Sequence, residues 1–144
     1  MRYIVFVFVV MLLFSCTSNQ HNLQNVNQNN LQNTSSRVFF KNINNGDTLQ
    51  SPFRVEMGVR MMKVKPAGQL KTGTGHHHIL IDKKFMNFLE VIPMDAQHLH
   101  YGKGDTVATV SLSKGHHTLT LQFADGLHRS YGEEYSNTIS IYVK

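Results

Sequence analysis

Two histidine pairs with the same one-residue gap stand out: His76/His78 in the tract GHHHILID (75–82) and His98/His100 in HLHYGKGDT (98–106). On an extended strand, residues i and i+2 share a face with Cα atoms about 6.6 Å apart, close enough for two imidazoles to reach one ion. Two such pairs supply four nitrogen ligands, enough for Zn²⁺ or Cu²⁺ without any thiolate. His76, His78, His98 and His100 are therefore the expected metal ligands. His128, just past Ala124-Asp125-Gly126-Leu127, is an accessory candidate, and Asp82 or Asp105 can orient a ring from outside the ligand set. Ligand imidazoles bind in the neutral form. Binding is thus expected near pH 7.5 and largely lost by about pH 5, where free histidine is protonated.

The same residues admit a structural role. A buried histidine can be a hydrogen-bonded core residue, and several can form a polar network. Eight of the 9 histidines follow residue 75, which is many for that purpose alone. Met57, Met61, Met62, Met86 and Met94 raise Cu⁺, which favours thioethers, but methionines at such positions more often fill a core. The single cysteine excludes a disulfide scaffold, a cysteine-based zinc site and a blue-copper centre. Gly68–Gly75 resembles a phosphate-cradling loop yet lacks the terminal Gly-Lys-Ser/Thr and any following helix. Neither G-x-S-x-G nor H-E-x-x-H occurs, and the carboxylates are too scattered for an acid/base pair, so no enzyme is expected.

The elements that must hold these histidines read as strands. Phe53, Val55, Met57 and Val59 alternate with polar or small residues, a half-buried strand. The period of two returns at His117, Leu119, Leu121 and Phe123, and again at Ile139, Ile141 and Val143. Residues 76–81 are apolar on both faces and suit a central strand; 38–43 and 106–112 are also β-rich. Residues 85–91 fit either a short strand or a helical turn, and 98–105 a glycine-flanked loop. With no four-turn helical stripe and turn residues at short intervals, the expected fold is all-β. It is an antiparallel immunoglobulin-like β-sandwich of about seven strands.

The chain of 144 residues has room for one such domain, expected over 37–144. Before it, Arg2 supplies a positive charge and the apolar run of twelve from Tyr3 to Phe14 would span about 18 Å as a helix, too short for a bilayer core and suited to a signal peptide, expected over 1–15. Leu13-Phe14-Ser15-Cys16 matches the bacterial lipobox, so Cys16 is expected to carry lipid and anchor the chain to the cell-envelope membrane. Eleven of the twenty residues from 17 to 36 are Asn or Gln, and the segment 16–36 is expected to be a lipidated cysteine followed by a disordered tether. The net charge of +5 is spread thinly with no basic run, which excludes nucleic acid as the expected partner. No motif identifies a protein partner.

The tracts at 75–82, 98–106 and 114–125 (KGHHTLTLQFAD), with His128 and Pro66-Ala67-Gly68, together resemble a family of exported bacterial domains of unknown function. The resemblance covers residues 38–143. It implies a small secreted β domain and brings no activity or ligand with it. The family pattern carries a further His-Pro element after the position of His128. Here Arg129-Ser130-Tyr131-Gly132 departs from it, which weakens the expectation of a ligand from that loop. Two functions are compatible with the sequence. One is a periplasm-facing lipoprotein that binds Cu or Zn as a buffer or carrier. The other is a non-catalytic binding or adhesion module with a structural histidine network.

Overall fold

The computed structural model describes residues 36–144. The signal segment, Cys16, the tether up to residue 35 and His21 lie outside the described residues. Among the described residues, no helix is long and apolar enough to cross a membrane.

The domain is an all-β sandwich. Its smaller sheet places β3 (Phe53–Val59) between β1 (Val38–Phe40) and β7 (Val107–Val110), both antiparallel to it. The larger sheet runs β2 (Thr48–Leu49), β9 (Ser136–Val143), β8 (Gly115–Ala124) and β5 (Thr74–Ile81). The far edge of β5 is shared by β4 (Lys63–Val64) at Thr74–Gly75 and by β6 (His98–Tyr101) at His77–Leu80. The pairings β2–β9 and β4–β5 are parallel; all others between named strands are antiparallel.

Alternation in sequence becomes alternation in space. Phe53, Val55 and Met57 from the smaller sheet meet Ile79, Ile81, Leu119, Leu121, Phe123, Ile139 and Ile141 from the larger in one buried core. Those inward residues have apolar side chains at every second position, which a pleated strand turns to one face. Residues 98–101, expected in a loop, form strand β6, because Leu99 and Tyr101 pack on the core while the backbone pairs with β5. Residues 85–91 form neither strand nor helix; a turn at 88–89 and an isolated bridge from Val91 to Arg129 lay them against another loop.

Strand β5 is buried along all eight residues because both its faces are covered. His77, Ile79 and Ile81 face the sandwich core. His76, His78 and Leu80 face outward, where the sheet would meet water were it bare. It is not bare. Residues 82–97 and 125–131 fold over it, and Leu80, Ile92 and Ala124 form a second small core there with Met86 packed alongside.

Candidate metal centre

The outward face of β5 presents His76 and His78, both fully buried. In the β5–β6 register His100 lies directly across from His78, so a third imidazole joins from the neighbouring strand. The fourth comes from the turn after β8. His128 sits there in the left-handed conformation (φ 63°), with its N–H donating to the Asp125 carbonyl at 3.0 Å. One potential ligand atom from each of His76, His78, His100 and His128 lies within 4.8 Å of all the others. Neighbouring ring centroids are 4.7 to 5.1 Å apart, with His78 and His128 at 6.0 Å.

His76 Nε2 is the hub. It stands 2.9 Å from His78 Nε2 and 3.2 Å from His128 Nδ1. Nitrogens each about 2.0 Å from a shared ion are about 2.9 to 3.4 Å apart, depending on the geometry. Two of the separations already fall in that range. A neutral imidazole nitrogen has one proton or one lone pair, so His76 Nε2 cannot make two good hydrogen bonds at once. Meanwhile His76 Nδ1, His78 Nδ1 and His100 Nε2 are buried without a hydrogen-bond partner among the described residues. Convergence without mutual satisfaction suits a cation at the centre better than a self-contained network.

Burial also holds His76, His78 and His100 in the form a metal needs. Desolvation, with smaller contributions from neighbouring imidazoles, pushes His76 down to about 4 and His78 to about 2. His100 is lowered by burial first and by His128 second. A depressed imidazole keeps its lone pair at neutral pH.

Small residues make the convergence possible. A Cβ on Gly102 would stand 2.2 Å from both Cε1 and Nε2 of His100, so the ring occupies the space a side chain would fill. A Cβ on Gly75 would come within 2.2 Å of the Ala124 carbonyl oxygen, and only glycine lets β5 and β8 approach so closely just before His76. Gly126 is equally confined, 2.2 Å from Gln69 O at its missing Cβ, while its own carbonyl accepts from Gly68 N–H at 2.8 Å.

Two buried polar residues anchor the covering loops. Asp125 Oδ1 accepts from the Leu127 and Arg129 N–H groups at 2.8 and 3.0 Å, and Oδ2 from Arg129 Nε at 2.8 Å. Burial would raise this carboxyl, but those hydrogen bonds and the guanidinium together hold it below its ordinary value. Gln122, across from His78 on β8, donates Nε2 to the carbonyls of Gly132 and Tyr135 at 3.0 and 3.1 Å. Its Oε1 accepts from Met86 N–H at 3.1 Å, which ties the 82–97 loop down beside the histidines.

The domain carrying these histidines matches a family model over residues 55–144, more than half of the chain. The chain belongs to the DUF4399 family, described as a domain of unknown function. No curated protein and no solved structure matches the chain. The motif histidines of this DUF4399 domain thus gain their meaning from the geometry.

Of the expected ligands, His76, His78 and His100 are brought together, and His128 joins them as an equal member rather than an accessory. His98 is not in the group. The register sets it opposite Leu80, one step beyond His78, and its Nδ1 lies 2.7 Å from Asp95 Oδ1. Asp82 does not orient a cluster ring; it binds His117 Nδ1 at 2.9 Å and the Thr118 N–H at 2.8 Å. Asp105 makes no hydrogen bond to any of the four rings; its charge is felt at Tyr101, on the opposite face of β6. Asp125, Gln122 and Gly102 are the residues that sequence reasoning missed as site builders. Their one signal was proximity to the histidines within the same motifs. Met57 fills the core, whereas Met61 and Met94 are exposed.

Proposed function

We propose that this DUF4399 protein is a cell-envelope lipoprotein that binds a transition metal, Cu or Zn, as a buffer or carrier and not as an enzyme. The observation that carries the proposal is the convergence of His76, His78, His100 and His128 on one point. All four donors are imidazole nitrogens, which suit Zn²⁺ and Cu²⁺ and are poor ligands for Mg²⁺ or Ca²⁺. The unpartnered Nδ1 atoms of His76 and His78 favour exchange over permanent retention, because ligating histidines in tight sites give their second nitrogen a hydrogen-bond acceptor. His100 and His128 are only half-buried, which leaves a route for the ion. In a binding or adhesion module with a purely structural histidine network, those nitrogens would be expected to find partners.

Isothermal titration of the untagged protein tests the metal. One Zn²⁺ or Cu²⁺ should bind per chain with Kd well below about 100 μM; weaker binding ends the proposal. His78→Ala and His128→Ala should each weaken binding by at least about tenfold, and His98→Ala should change it by less than about twofold. The lipobox at 13–16 supports the anchor. Cys16→Ser should accumulate unprocessed precursor and take up no radioactive palmitate. Normal maturation of that variant would remove the lipid from the proposal.

A further inference from the structure

Four imidazoles are neutral ligands, so a divalent ion enters this centre with its whole charge uncompensated. The group contains no carboxylate or thiolate among the described residues. Three acids on the neighbouring loops are already engaged, and the charge of Asp105 is felt at Tyr101, on the opposite face of β6. Asp125, whose field reaches His76, is paired with Arg129; Asp82 is paired with His117, and Asp95 with His98. Two of the ligands, His76 and His78, are wholly removed from water, and an unbalanced dication there is strongly disfavoured. The opposite side of the centre is different. His100 and His128 are half-buried, so their side of the centre is the less enclosed one.

From this charge balance and this unequal burial we infer that the centre takes its metal together with a small anion, which coordinates the ion from the His100/His128 side. The inference rests on the metal-binding function proposed above and names the additional ligand. Its chemical class is a monodentate halide-like or carboxylate anion, small enough to enter beside the two half-buried rings. Coordination at this position halves the buried charge. Metal and anion should therefore bind with positive coupling, each raising the affinity of the other.

The full chain, purified without a histidine tag in detergent, is loaded with one equivalent of Cu²⁺ and titrated with azide. A new azide-to-copper charge-transfer absorption and a changed electron paramagnetic resonance spectrum are expected. Cu²⁺ should also bind at least about tenfold tighter in sodium chloride than in sodium nitrate of equal ionic strength. Sodium acetate then separates the two sources: an effect at least as large as that of chloride assigns the position to carboxylates, a smaller one to halides. Stoichiometric Cu²⁺ binding with spectra indifferent to azide and an affinity indifferent to the salt overturns the inference and leaves the metal function standing. Absence of Cu²⁺ binding in every salt overturns both.

Discussion

Gly102 stands where a side chain and the His100 ring would compete for one volume. The atoms that a new Cβ would strike, Cε1 and Nε2, are the far end of a movable ring, and the backbone of Gly102 is not in the left-handed region. Gly102→Ala should therefore leave the fold intact and turn His100 out of the cluster. We expect thermal stability to change by less than about 1 kcal/mol while metal affinity falls about 10- to 100-fold. Melting curves and titrations on one preparation separate the two effects; a variant that binds metal as well as the parent would show that His100 is dispensable. The same residue scale explains how the spacing of histidines was informative yet incomplete. The gap in His98-Leu99-His100 correctly implies a shared face. Which member of the pair meets His78 depends on strand register, set by the pairing of Leu99 with Ile79, and no local pattern encodes that.

At the scale of elements, three ligands sit on strands and one on a turn. Strand residues are fixed by long ladders: β5 pairs with β8 from His76 to Ile81, and with β6 from His77 to Leu80. His128 depends on the short loop between Ala124 and Ser130, closed by the bridge between those two residues and by Ile92 N–H donating to the His128 carbonyl at 2.9 Å. Asp125 organises this loop through the three hydrogen bonds of its side chain. Asp125→Ala strands two backbone N–H groups and one guanidinium. It should cost about 1–3 kcal/mol and lower metal affinity about 10- to 100-fold. Amide exchange should quicken over 125–131 and stay unchanged in β3 and β7; uniform protection would show that the loop holds itself. Periodicity revealed β3, β8 and β9 because apolar residues recur at every second position within strands of seven to ten residues. It hid β6, which is only four residues long with histidines at two of them, and it is silent on a loop built from a carboxylate and a positive φ.

At the scale of the whole molecule, the buried histidines link metal, protons and stability. His77 faces the sandwich core against Phe123, neither ring nitrogen partnered among the described residues, and burial pushes it down to about 3. With His76 at about 4 and His78 at about 2, the folded domain refuses protons that the unfolded chain accepts below its ordinary histidine value of about 6.5. The unfolded state then binds more protons than the native one, so stability falls as pH drops below about 6.5 and continues to fall toward the folded values. The metal-free domain should accordingly melt at a clearly lower temperature at pH 5 than at pH 7.5. The bound ion adds a term that proton competition erodes only where the folded rings themselves titrate. His76 and His78 stay neutral at pH 5, so their share of the loss of binding expected there from free histidine should be displaced to more acidic conditions. Zinc at about 100 times its Kd raises stability by about 2.7 kcal/mol. We expect the part of that increment carried by His76 and His78 to survive at pH 5 and to shrink near pH 4, as His76 takes up its proton. Paired melting curves with and without Zn²⁺ across this range measure the increment directly. Its disappearance already at pH 6 would mean that the rings holding the ion are solvated, and that the closed face of β5 opens when metal enters.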